Sequence, residues 1–356
     1  MLESGERLKL LERLWRLEET SEVPFVIDIG QFHGATGEFY GKPDVEAKWN
    51  EELHRKREGV YDYGFPNIKP NLGIGTIAAA FGCEQTVNDE ADPWIKSIIN
   101  EDNVDDVHKL KIPDPENNAV FAAVWKHLDA LSRLSPLPLR MANVASPLVT
   151  ASMIWDYTAF IESLLIFPDE VHVLLEKVTE ATILYIREQF KRIKNLFSVG
   201  HESICPIPRF AGVRVSDDTA ALLSPDLYRE FGVKYLNKIS REFGGIVVHS
   251  CGDVQFVVSA MMEIEGLKGL DFTMPQVMNW EAVRDAAAGR VVLNLRQRYW
   301  DHPIDVNSCG ARVDLAEYSE KLVRTFGRKG VIIETAVETP DEARALGEEL
   351  HRKLSC

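Results

Sequence analysis

The stretch from residue 244 to the end constrains the fold most, because short β-branched runs alternate there with amphipathic helical segments. GGIVVHS (244–250), GLDFTM (269–274), RVVLNLR (290–296) and GVIIETA (330–336) each read as a strand. Between them, QFVVSAMMEIEGL and WEAVRDAAAG carry helical periodicity, the second with Asn279 as its cap and Gly289 suited to a left-handed C-terminal position. DLAEYSEKLVRTFG places Leu315, Tyr318, Leu322 and Phe326 on one helical face. Thr339, Pro340 and Glu342 spell a capping box that starts the last helix, with Leu346 and Leu350 on its stripe.

Strands separated by helices of this length imply a parallel sheet. Upstream, PFVIDIG (24–30), NIKPNLG (67–73), PLRMANV (138–144) and FAGVRVS (210–216) bring the strand count to eight. Eight strands favour a closed (β/α)8 TIM barrel over the alternative, an open α/β sheet. There is no internal repeat, low-complexity tract or linker, so residues 1–356 are expected to form one barrel domain, with residues 1–22 as an N-terminal helical extension.

Charge argues against one class of function. The formal net charge is −15 and no Lys/Arg cluster breaks the acidic balance, so a nucleic-acid partner, which needs a basic surface to neutralise its phosphates, is not expected. MLESGERLKLLERLWRLEET is an amphipathic, charged helix and lacks the apolar centre of a secretory signal. No apolar run is long enough for a membrane span. Five scattered cysteines make no disulfide framework, so a reducing cytoplasm is the expected location.

In a parallel barrel, functional groups collect where strands end. The polar residues at those places are Asp28, Asn67, Lys69, Asn143, Ser146, Asp217, Asp218, His249, Cys251, Asp271, Arg296 and Glu334. His249-Ser250-Cys251-Gly252 is the sharpest signal. Residues i and i+2 of an extended segment project to the same side, and imidazole with sulfur selects zinc over magnesium or calcium. The alternative is a buried cysteine beside a histidine that bonds a loop. Asp217-Asp218 precedes a helix started by Ser224-Pro225, and reads either as a catalytic or substrate-contacting pair or as turn caps. Glu334 reads as a ligand, an acid/base group or a partner of Arg296. His33, after the first strand, is a candidate for the mouth, as is His201-Glu202; His108, His127, His172 and His351 fall in charged helical segments and are expected to be solvated. No phosphate-cradling glycine motif is present.

Several stretches, in order, make the chain resemble the uroporphyrinogen decarboxylase superfamily: IKPNLGIGTIAAAFGCE, ADPW followed by VDDVHKLKIPDPE, ASPLVTASMIW, VSDDTAALLSPDLYREF, IVVHSCGD and TPDEARAL. The resemblance spans nearly the whole chain and implies a (β/α)8 barrel with its site at the C-terminal mouth. The true decarboxylases of that superfamily carry an arginine-rich segment after the first strand, whereas no Lys or Arg occurs here from Leu17 to Gly41. Their pyrrole-binding aspartate falls at Asn67, and their C-terminal histidine has no counterpart in IIETAVETP.

The corrinoid-linked methyltransferase branch, of the methylcobalamin:coenzyme M type, carries an H-x-C-G zinc motif that His249, Cys251 and Gly252 match. The resemblance therefore implies a zinc-dependent enzyme moving a methyl group between cobalamin, supplied by a separate corrinoid protein, and a small thiol, folate or methoxylated or methylated substrate. Its further cysteine ligand is replaced here, and Glu334, in preference to Cys309, is expected to complete the set with His249 and Cys251. Asp217 and Asp218 are the expected catalytic residues, and Asp28, His33, Asn67, Asn143 and Arg296 the expected substrate contacts. The competing readings are a decarboxylase-type lyase acting on a compound other than uroporphyrinogen, and a non-catalytic paralogue that binds a corrinoid partner.

Overall fold

Parallel pairing dominates the molecule, as the strand–helix alternation requires. A computed structural model describes residues 4–30, 39–88, 93–297 and 314–355. Its strands are β1 (Phe25–Ile29), β2 (Glu84–Thr86), β3 (Trp94–Lys96), β4 (Leu139–Arg140), β5 (Leu196–Ser198), β6 (Val213–Ser216), β7 (Ile246–Ser250), β8 (Leu267–Phe272), β9 (Val292–Gln297) and β10 (Val331–Val337). Six of them form one parallel sheet in the order β1-β10-β9-β8-β7-β6. Beyond β6 the wall continues through a parallel bridge from Ser216 to Ala145, then from Leu139 to Ile68. The Tyr63 amide finally donates to the Phe25 carbonyl of β1. Those links return the wall to its start, and eight segments close the (β/α)8 barrel.

The expected strand at 67–73 shrinks to the single bridge at Ile68. Pro66 and Pro70 flank it, and a proline has no N–H to donate to a ladder. Two features escaped the sequence reading. The short strand β5 pairs with β4, and β2 and β3 form an antiparallel hairpin. The helix expected after β7 is reduced to Val258–Met261.

Local chemistry sets the helix boundaries. Asn279 accepts hydrogen bonds from the Glu281 and Ala282 amides, and Gly289 takes a φ of +69° just past that helix. Thr339 and Glu342 form the reciprocal capping box at the start of Pro340–Leu354. The N-terminal helix Ser4–Trp15 buries Leu10, Leu11, Leu14 and Trp15. Trp15 lies so close to Gly269 of β8 that a Cβ there would sit 3.1 Å from its ring. One expectation fails outright: His127 is buried, and its Nε2 lies 2.6 Å from Glu46 Oε2. No helix among the described residues is long and apolar enough to cross a membrane.

Candidate metal centre at the barrel mouth

Alternation along the strands brings the polar set together. His249 pairs in register with Asp271 on one side and Ser216 on the other, and Glu334 pairs with Arg296. His249 ends the apolar run of β7, and the chain then turns at Cys251-Gly252. A side chain at Gly252 would put its Cβ 2.7 Å from that of Ala221, so the β6 and β7 loops meet closely there.

At this junction His249 Nε2 lies 3.2 Å from Cys251 Sγ. The Cys251 amide donates to Asp218 Oδ1 at 2.7 Å, and the Asp217 amide donates to the His249 carbonyl at 2.7 Å. Asp218, His249 and Cys251 each offer a ligand atom, all within 4.8 Å of one another, as a metal-binding group would require. Imidazole, sulfur and carboxylate are a donor set that suits zinc, and three protein ligands leave a position for substrate. The carboxylate that joins the histidine–cysteine pair is thus Asp218 and not Glu334. Glu334 Oε2 instead accepts from Asn294 at 3.2 Å and lies 3.4 Å from Arg296 Nε. Cys309 and His33 lie outside the described residues.

A buried charged layer lies against the histidine. Asp271 Oδ2 is 3.2 Å from His249 Nδ1, an ion-pair contact whose angle falls short of a hydrogen bond. Arg296 holds Asp271 bidentately at 2.6 and 2.7 Å, and Arg214 Nε adds a third bond at 2.7 Å. Glu202 accepts from both guanidiniums, at 3.0 and 3.3 Å. Burial alone would raise the Asp271 pKa, but Arg296, Arg214 and His249 together hold it far below the usual carboxylate range. Burial and Arg214 disfavour the His249 imidazolium, yet Glu202 and Asp271 outweigh them and push its pKa up to about 10. A metal taking this nitrogen must therefore displace a proton.

The two aspartates separate in role. Asp217 is fully buried, accepting from Ser146 at 2.6 Å and from Tyr228 at 2.8 Å. Burial pushes its carboxyl up to about 6 against those two bonds, and Asp218 pushes the same way. Asp217 therefore anchors the turn, while Asp218 faces the site. Arg296 is occupied by Asp271, Glu202 and Glu334, so it positions the layer and has little left for substrate. Asn67 and Asn143 each keep a side-chain oxygen with no hydrogen-bond partner. Asp28 is buried and close enough to help hold the charge of Arg140, whose pKa burial pulls down to about 10. Arg140 and Arg214 were missed by the sequence reading. Their signal was present: each is a lone cation inside an apolar run, PLRMANV and VRVS.

The fold and the mouth together define a parallel α/β barrel that carries a metal-capable cluster at the C-terminal ends of its strands. Residues 56–199 match the family described as Uroporphyrinogen decarboxylase (URO-D). That match stops short of the Asp218–Cys251 cluster. Among curated relatives, a "Uroporphyrinogen decarboxylase" of Coxiella burnetii is 27% identical over 177 residues, 48% of this chain and 43% of that protein. One from Proteus mirabilis is 29% identical over 174 residues (47% and 43%), and one from Campylobacter concisus 40% over 72 residues (20% and 16%). The chain thus matches less than half the length of these relatives. Among solved structures, a methyltransferase from Methanosarcina mazei superposes with a TM-score of 0.71, covering 99% of both chains at 16% identity. That likeness establishes the shared fold.

Proposed function

We propose that this protein is a zinc-dependent methyltransferase that moves a methyl group between a corrinoid carried on a separate protein and a small substrate. The observation that carries the reading is the convergence of His249 Nε2, Cys251 Sγ and an Asp218 oxygen at the barrel mouth. The methyltransferase fold of the Methanosarcina neighbour supports it.

His249, Cys251 and Asp218 would hold the zinc, which would supply a Lewis acid that lowers the pKa of a bound thiol or polarises a substrate heteroatom. The chain's own residues prepare that place. Asp271 faces Nδ1 of His249 and leaves Nε2 for the metal, the outer-shell arrangement common to histidine ligands. Arg214 and Arg296 fix Asp271 through buried charge-assisted bonds, so the carboxylate facing Nδ1 is held in place. The Cys251 and Asp217 amide bonds lock the β6 and β7 loops in one relative position. The free oxygens of Asn67 and Asn143 are acceptors for donor groups on a substrate.

Zinc analysis of the purified protein, paired with the visible spectrum of added methylcobalamin, tests the proposal. Wild type should contain zinc and demethylate methylcobalamin in the presence of an acceptor, and Cys251→Ser should do neither. Equal turnover by both proteins would overturn it.

A further inference from the structure

A cavity of ≈ 370 Å³ opens at the end of the barrel opposite the metal-capable cluster. It is built from segments that enter strands: Arg16 and Leu17 lead towards β1, Phe210 towards β6 and Arg290 towards β9, while Lys268 lies at the start of β8. Among the described residues its lining holds three cations, Arg16, Lys268 and Arg290, and no carboxylate. That is a local reversal of sign in a chain of net charge −15.

We propose that this cleft in the barrel floor is a second ligand site, one that binds a compact polyanion, the di- or triphosphate group of a small molecule.

The polar side chains of the lining are those three cations and Trp15. Guanidinium, ammonium and indole groups donate hydrogen bonds and accept none, so the ligand they suit is rich in acceptors and negatively charged. Trp15 is 5% exposed, and its Nε1 has no hydrogen-bond partner. The cations are positioned without being neutralised. Arg16 rests its guanidinium over the Phe210 ring, 4.3 Å from the centroid. Arg290 spends one N–H on the Ala286 carbonyl at 2.7 Å. The Lys268 stem packs against Gly245, where a Cβ would lie 2.9 Å from Lys268 Cγ, and its ammonium stays available.

The negative groups beside the cleft are already engaged. Glu18 pairs with Arg13 at 3.2 Å. At the end of the helix Ser4–Trp15, the Leu14 and Arg13 carbonyls accept from the Leu17 and Glu18 amides at 2.8 and 3.0 Å. That turn holds Leu17 at a φ of +56°, a left-handed conformation that a leucine rarely adopts. Such strain persists only where the surrounding structure imposes it, and it concentrates at ligand sites. The cavity volume lies within the roughly 300–1,000 Å³ of small-molecule pockets, more than a single phosphate fills.

Calorimetric titration of the full chain with inorganic pyrophosphate, at low ionic strength and without added metal, tests this. Wild type and Cys251→Ser, a change confined to the mouth, should each bind one pyrophosphate per chain with the same Kd. Arg290→Gln and Lys268→Met should each weaken binding about three- to tenfold. Arg290 is exposed, so Arg290→Gln should unfold in urea at the wild-type midpoint and its weaker binding reports the lost charge. No binding at millimolar pyrophosphate would overturn the assignment, as would an unchanged Kd in either floor variant. Binding lost in Cys251→Ser would place the anion at the mouth and overturn it equally.

Discussion

Asp271→Asn perturbs the buried layer at its centre. The substitution keeps the shape and removes the charge that Arg296 grips at 2.6 and 2.7 Å and Arg214 at 2.7 Å. Breaking a buried ion pair by neutralising one partner costs about 3–5 kcal/mol. Here the lower end applies, because Arg296 retains Glu202 at 3.0 Å and Glu334 at 3.4 Å, and Arg214 retains Glu202 at 3.3 Å. Urea unfolding should therefore show a loss of about 3 kcal/mol. The same substitution frees His249 Nδ1 from its carboxylate. Loss of such an outer-shell partner lowers metal affinity about 10–100-fold, which a chelator competition titration reads directly. A variant as stable as wild type, or one that is destabilised yet binds zinc with unchanged affinity, would refute the claim that this layer orients the ligand.

Asp218→Asn should lower zinc affinity at least tenfold, whereas Glu334→Gln should leave it nearly unchanged and instead reduce stability by about 1–3 kcal/mol through the lost partner of Arg296 and Asn294; chelator competition and urea melts separate the two. Gly252→Ala should weaken zinc binding, because its Cβ would fall 2.7 Å from that of Ala221 and push the Cys251 loop outward; the same competition assay measures it. Burial holds the His54 pKa at about 4, below its ordinary 6.5, so the unfolded chain takes up a proton that the folded one refuses in that window. Stability from this group is intact above pH 6.5 and is lost as pH falls towards 4, by about 2 kcal/mol between pH 7.5 and 5. His54→Gln should flatten that slope in urea melts at the two pH values.

The second half of the fold was legible because apolar runs and caps there coincide, as at Asn279 and in the Thr339–Glu342 box. The first half was less so. Pro66 and Pro70 leave Ile68 as the sole bridge of its segment, and β5 is too short to show alternation. At the site, the i, i+2 spacing foretold that His249 and Cys251 would meet, since both lie at one strand end. The third carboxylate arrives from another loop, and register alone decides whether Asp218 or Glu334 reaches the pair. Glu334, expected as the third ligand, pairs with Arg296 across the β9–β10 ladder. Arg140 and Arg214 each sit inside an otherwise apolar strand, where a buried cation needs a buried partner that local sequence does not reveal. His127 misled in the opposite sense: its partner Glu46 lies 81 residues away.

X-ray absorption at the zinc edge on the purified, zinc-loaded protein tests the central claim most directly. The account predicts one zinc per chain with one sulfur and otherwise nitrogen and oxygen neighbours, and loss of the sulfur contribution in Cys251→Ser. A first shell with two sulfurs would move the third ligand to a cysteine such as Cys309 and contradict the Asp218 assignment. A protein that takes up no zinc would contradict the account as a whole.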